Sequence, residues 1–449
     1  MFRGRANRLA RSWKIDFSLL VTGQMVSVFG SSLHLVVVIL FLKELTGQAF
    51  ALGIFQFVAY LPVIVLSPLG GVAADGLSAK RILVGADLLR GAAMLAMGLL
   101  LWQQALSYGL LLAGTFLVSL GTAFFQPAVH ALFPSIVERS FLKRGNSIRG
   151  STLLGANFAG TSLGGLAFAV LGPAAVFLVN GASFLVSALE EGFISAPATG
   201  GGSRGEKEGR GEKEGSGEKE GDARAKRSLG TMAAEVRGRL RQTIGYLRED
   251  RGALSAILTY GMIHGVYPPV VLALPFFLEE ELGMGSVPYG YAMALLLAGG
   301  GAGALLYGFL SSGRRANVPL LFGALGLLSG LLAAVGVLPR AEVLFPALPA
   351  AGACMGMVHQ IMTTSLYRRV RKEARGRIFG LMESLASAAL PVSYGVSGIL
   401  VGVFRGQLPL FFVLIGGLSL AVAAAVWYRG RLTRFVSGEG YAAFTDQSA

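Results

Sequence analysis

Runs of about 20 mostly apolar residues follow one another along the whole chain, and they constrain it more than any motif does. A helix rises ~1.5 Å per residue, so ~20 residues cross the ~30 Å hydrocarbon layer of a bilayer. Twelve such runs can be counted. The first six cover roughly 17–42, 50–74, 82–102, 107–133, 148–171 and 173–194. The second six cover roughly 252–278, 287–311, 317–338, 342–366, 376–403 and 408–428. Lipid offers no partner to a free N–H or C=O, so each run must be helical. The expected fold is an all-α membrane protein with twelve transmembrane helices in two six-helix halves. Pro268-Pro269 in the seventh run predicts a bent helix. The first run follows Arg3, Arg5, Arg8, Arg11 and Lys14 and no small-residue cleavage site, so it reads as a retained span.

Composition narrows the class further. Charged residues make up 14% of the chain, against ~25% in a typical soluble domain. Hydrophobic residues reach 53%, and the mean hydropathy is +0.62. A disulfide scaffold, a disordered chain and an ordinary cytosolic enzyme are excluded. The single cysteine, Cys354, forms neither an intrachain disulfide nor a cysteine-based metal site. The net charge of +14 points to basic loops facing anionic lipids rather than to nucleic acid. Those charges are placed asymmetrically. Lys43, Arg340 and Arg405 fall in one set of connections and Arg90 inside a span, which leaves 35 of the 39 Lys and Arg on the other side. Basic residues stay cytoplasmic, so both termini are expected in the cytoplasm and the chain in the inner, or plasma, membrane.

The expected organisation is an N-terminal half over 1–194, a cytoplasmic linker over 195–251, a C-terminal half over 252–428 and a cytoplasmic tail over 429–449. The linker holds three Gly-Glu-Lys-Glu-Gly copies, and 201–222 is predicted to be disordered because it has nothing to bury. Residues 228–248 read as a basic amphipathic helix: Leu229, Met232, Val236, Leu240, Ile244 and Leu247 form one stripe with arginines between them. Two six-helix halves with a cytoplasmic linker are the layout of a two-half transporter.

Several motifs carry chemistry. Gly71-Val-Ala-Ala-Asp75 is followed by Lys80 and Arg81. Gly71 is expected to permit close helix packing, Asp75 to accept at a helix N-terminus, and the two cations to anchor to headgroups. An ordinary turn is the alternative. Gly160, Gly164 and Gly165 in the fifth run offer close helix contact, with Gly155 one turn back. Asp87-Leu-Leu-Arg90, Phe124-Phe-Gln-Pro127, Phe133-Pro134, Asn146, Leu274-Pro275-Phe276-Phe277 and Gly376-Arg377-Ile378-Phe379 are spread along the chain. Together these elements resemble the major facilitator superfamily, in the branch of macrolide-efflux proteins and the enterobactin exporter. The loop departs from the family pattern at Ser78 and Ala79, and the fifth run has Thr161 where antiporters carry proline.

The resemblance implies alternating access around a midplane cavity lined by the first, fourth, seventh and tenth spans. The four histidines, His34, His130, His264 and His359, fall on those spans. The cavity candidates are Gln24, Ser27, Ser31, His34, Ser119, Thr122, Gln126, Tyr260, His264, Tyr267, His359, Gln360 and Thr363. Gly71, Asp75, Lys80, Arg81, Asp87, Arg90, Gly160, Gly164 and Gly165 are the candidates for gating. Asp87 and Arg90, three apart, share a helix face and can pair, on a span that the family layout makes peripheral. Glu190 and Glu191 are expected to be solvated or paired at the inner interface. His264, Asp87 and Glu383 are the candidates for proton coupling. The implied function is export of a bulky amphipathic small molecule, largely neutral or weakly charged and of drug, macrolide or siderophore-like kind, in exchange for protons, by a monomer without a cofactor. A lipid or lysophospholipid flippase shares this layout. A membrane sensor or enzyme is the alternative of another class, though an enzyme needs acid–base groups gathered at one depth.

Overall fold

The computed structural model describes residues 2–138, 140–195, 251–310, 317–369 and 372–437. The first group of helices is α1 (Phe2–Thr46), α2 (Ala49–Gly76), α3 (Ala79–Trp102), α4 (Tyr108–Ile136) and α5 (Leu142–Gly192). The second group is α6 (Arg251–Phe276), α7 (Val287–Leu310), α8 (Asn317–Val337), α9 (Ala341–Arg369), α10 (Lys372–Val403), α11 (Leu408–Arg429) and the short α12 (Arg431–Ser437). No strand occurs among the described residues. Most of the linker, with the repeat tract and the amphipathic stretch 228–248, lies outside them, as do the side chains of Asp75, His264 and Glu383.

Local chemistry sets several boundaries. Ser107 precedes α4 and its hydroxyl accepts from the backbone N–H of Leu110 at 3.3 Å, satisfying one orphan donor. Gly430, at φ 62°, ends α11 in the left-handed conformation that glycine adopts without strain. The 51 residues of α5 would extend ~77 Å as one helix, far more than a bilayer is thick. They divide at Gly172 (φ 74°, ψ 165°), because Pro173 expels its neighbour from helical geometry. α5 is therefore two arms folded back on each other. Ten described helices are long and apolar enough to cross a membrane, with α5 taken as one and only Ala388–Val403 of α10 as a shorter apolar stretch. Dividing α5 and including α10 brings the range up to the twelve counted in the sequence. α6 runs unbroken through Pro268 and Pro269, and only beyond Phe276 does the chain loosen into a π-helical turn, Phe277–Glu281.

The helices form two bundles. α1 packs along α5, α3 against α4 and α5, and α2 against α4. In the other bundle α7 packs on α9, α8 on α9 and α11, and α6 on α10. The bundles meet along two seams, α2 with α10 and α5 with α7. Gly299 and Gly303 of α7 press on the α9 backbone at Pro349 and Ala353, and Gly352 and Gly356 of α9 press on the α7 backbone at Leu296 and Gly300, so closely that an added Cβ would strike it. Each seam also contains a glycine pair, Gly53 with Gly398 and Gly165 with Gly290. Phe309, Leu305, Val170 and Leu418 point outward and exposed, as lipid-facing side chains do.

Candidate functional site

A polar pocket opens inside the first bundle, where five helical segments converge. Gln24, Ser27 and Ser31 recur at helical spacing on one face of α1. Arg90 comes from α3, Phe125 and Gln126 from α4, Arg149 from the first arm of α5 and Phe184 from the second. They line a partly open space of about 320 Å³. Arg149 Nε donates to Gln24 Oε1 at 2.7 Å, tying α5 to α1 across the pocket wall. The Arg90 guanidinium lies over the rings of Phe125 (4.0 Å) and Phe184 (4.5 Å) and pairs with Asp87 one turn back. That cation thus meets π density from two rings, which partly replaces lost water.

Behind the pair lies a second carboxylate. Glu191, on the second arm of α5, is fully buried and interacts with Arg90 through space. Among the described residues neither of its oxygens has a hydrogen-bond partner, and Asp87 Oδ2 and Arg90 Nε also lack one. Its neighbour Glu190 accepts from the Thr22 hydroxyl at 2.7 Å.

The second bundle contains a different cavity, of about 490 Å³ and wholly apolar, between α6, α7, α8, α9 and α11. Tyr267, Leu296, Leu332, Met355 and Phe412 are among its walls. Between the bundles, Tyr60 of α2 stacks on Tyr394 of α10 with ring centroids 5.6 Å apart and planes 7° apart.

At one end Lys43 and Arg405 tie the bundles together. Lys43 Nζ donates to the Pro275 carbonyl at 2.7 Å and pairs with Glu279. Arg405 donates across to the Gly47 carbonyl and pairs within its own bundle with Glu280 at 3.0 Å. The ring of Phe276 sits 5.4 Å from both cations.

The structure brings Gln24, Ser27, Ser31 and Gln126 to one pocket, and it separates the histidines. His34 is buried edge-on against Phe177 at 4.4 Å, not on the pocket wall. His130 is exposed. His359 Nδ1 is within 3.1 Å of the Tyr260 hydroxyl, and the Thr363 hydroxyl donates to the His359 carbonyl. Ser119 donates to the Ala59 carbonyl and Thr122 to that of Val118, so both serve backbone rather than an open cavity.

Four expectations need correction. Gly71 has nothing within 4 Å of an added Cβ. Gly70, 100° round the helix, is the residue that meets α4, at the Ala123 carbonyl and Pro127. Gly155 likewise faces open space, whereas Gly160, Gly164 and Gly165 make tight contacts. Of the two fates expected for Glu191, solvated or paired, solvation is ruled out: it is fully buried and meets Arg90 through space. Arg90 lines the polar pocket rather than a peripheral face, and together with Arg149 it gives the site the fixed charge that the residue list lacked.

Sequence reasoning passed over Arg149 and the burial of Glu191. A signal existed for the latter: Asn180, Ser183, Ser187 and Glu191 recur at helical spacing in an apolar run, and all four are buried. Lys43 was noticed for its sign alone, since its partners lie more than 200 residues away.

A membrane-embedded pair of helical bundles with an internal polar pocket defines a multi-pass transporter. The Major Facilitator Superfamily model matches residues 20–389, and the chain belongs to that family. Macrolide efflux protein A of Streptococcus pyogenes is 22% identical over 421 residues, which cover 92% of this chain and 95% of that protein. The protein of that name from Enterococcus faecalis is 20% identical over 355 residues, 77% of this chain and 99% of its own. Among solved structures, a bacterial homologue of the iron transporter ferroportin in an inward-facing state has a TM-score of 0.69 at 16% identity, covering 93% of this chain and 98% of that one. The nucleoside transporter NupG has a TM-score of 0.66 at 11% identity, covering 92% and 98%. At these identities the structures establish the shared fold alone.

Proposed function

We propose that this chain is a non-enzymatic secondary transporter that exports an amphipathic small molecule of macrolide type, by alternating access and in exchange for protons. The observation that carries this reading is the pocket of Gln24, Ser27, Ser31, Arg90, Gln126 and Arg149, which sets hydrogen-bonding groups and fixed charge inside an otherwise apolar bundle. Buried polar groups in a membrane are costly, so a cluster of them facing one space has a use. The curated relatives are named for macrolide efflux. The basic loops support an orientation with both termini in the cytoplasm and the protein in the inner, or plasma, membrane. The Lys43–Arg405 end is then external, and its closed contacts give an inward-facing state. Gly160, Gly164 and Gly165 serve as packing surfaces for the rocking motion. Lys80 and Arg81 open α3 at the cytoplasmic face, where anionic headgroups are the natural partners.

The test is efflux of radiolabelled erythromycin from cells that express the protein and lack other exporters. Retention should fall several-fold against cells without it, and collapse of the proton gradient should restore retention. Unchanged retention would overturn the reading. Efflux that survives gradient collapse would overturn proton coupling alone.

A further inference from the structure

We propose that Glu191, with the Asp87–Arg90 pair, is the site at which the exchanged proton binds; this rests on the antiport reading above. Three buried groups share one compartment: two carboxylates and one guanidinium. Asp87 holds Arg90 directly. Glu191 reaches Arg90 only through space; the Ser187 hydroxyl one turn back and the Glu190 charge are its other polar neighbours, and among the described residues no well-formed hydrogen bond reaches either oxygen. An ionised carboxylate buried without partners is costly. With Glu191 charged, the compartment carries one negative charge in excess. One proton on a Glu191 oxygen cancels it, with no other reactant needed. The arginine argues against a metal ion, since its fixed positive charge would repel one.

Around the cluster the other carboxylates, Asp16 and Glu190, each already accept a hydrogen bond. From α1, Thr22 donates to Glu190, and Asp16 accepts from the backbone N–H of Ser195 at 2.9 Å. α4 faces the cluster with Gly121 and Phe125. On α5, Glu190 holds the Thr22 hydroxyl and Arg149 is engaged with Gln24. Glu191 is the carboxylate left over.

The link to transport runs through Arg90. The guanidinium that Glu191 faces is also a wall of the polar pocket. When Glu191 is ionised, two carboxylates share Arg90; when it is protonated, Asp87 holds Arg90 alone. Arg90 therefore presents a different field to the pocket in each state. A ligand touching Arg90 and a proton on Glu191 must then alter each other's affinity reciprocally.

The experiment uses the full chain with Glu191→Gln, which keeps size and removes titration. In vesicles, exchange of radiolabelled erythromycin at equal pH on both sides reports pocket and rocking. A trapped pH dye reports erythromycin-driven proton movement. The variant is expected to keep exchange within about threefold and to lose proton movement at least tenfold. Proton movement at the wild-type rate overturns the inference. Loss of exchange along with proton movement also overturns it, because Glu191 is then a packing residue. If wild type shows no erythromycin exchange, the efflux reading fails. Glu191 is then judged by the proton binding of solubilised protein, where Glu191→Gln must take up one proton fewer between pH 5 and 9, and equal uptake overturns the inference.

Discussion

Lys43→Gln should shift the molecule toward a state in which the Lys43–Arg405 end stands open. The Lys43 side chain is 9% exposed, and its ammonium holds both the Pro275 carbonyl and Glu279, each on the opposite bundle. A hydrogen bond from a charged donor contributes ~1.5–3 kcal/mol. The ion-pair part is smaller, ~0–1 kcal/mol, because Glu279 is 64% exposed and well solvated. Relief of the buried ammonium's desolvation offsets part of this loss. A net ~1.5 kcal/mol remains, about a tenfold change in the equilibrium between closed and open. Spin labels at Leu45 and Gln407, both exposed and on opposite bundles at this end, would read it by pulsed electron–electron resonance. The native cysteine, Cys354, is buried and does not compete for label. The longer-distance population should rise about tenfold relative to the shorter one. Glu279→Gln should change the ratio less than threefold. An unmoved distribution in Lys43→Gln, or equal effects of the two variants, would refute the assignment of Lys43 as the main tie.

Arg149→Met should weaken erythromycin binding at least fivefold while leaving thermal stability nearly unchanged, because Arg149 lies on the pocket wall and its hydrogen bond to Gln24 is only partly buried; equilibrium binding to solubilised protein measures it. Gly303→Leu should lower the melting temperature sharply and cost ~3 kcal/mol or more, since no rotamer avoids the α9 backbone at Ala353; thermal unfolding in detergent is the check. Deleting 201–222 should leave efflux at the wild-type level, because those residues carry repeats with nothing to bury; the erythromycin retention assay decides.

The fold was legible because hydrophobic length is a one-dimensional signal. Each run of ~20 apolar residues announces itself without knowledge of its neighbours. The α1 face of the pocket was legible for a related reason: Gln24, Ser27 and Ser31 are polar exceptions at helical spacing. The rest depended on rotation and distance. Gly70 and Gly71 differ by 100° about one axis, and only the packed helix shows which of them meets α4. The Lys43–Pro275 and Gln24–Arg149 contacts join residues 232 and 125 positions apart, so no local window contains both partners. Glu191 sits where an apolar run ends, a place that reads as the water interface. Burial there comes from α1 and α3 closing over it, which is a tertiary event.

The two seams have a mechanical consequence. Gly53 meets Gly398, and Gly165 meets Gly290, so each seam touches at a point without side chains. Interlocked ridges would act as gear teeth, and tilting one bundle would force each tooth to climb over the next. A smooth point contact acts instead as a bearing. Two bearings define a line, about which the bundles of an alternating-access transporter would turn while their own interiors stay packed. The resistance to such a turn would then lie in a few identifiable ties, Lys43 and Arg405 at the rim and the Tyr60–Tyr394 stack between the bundles, rather than in the bulk of the protein.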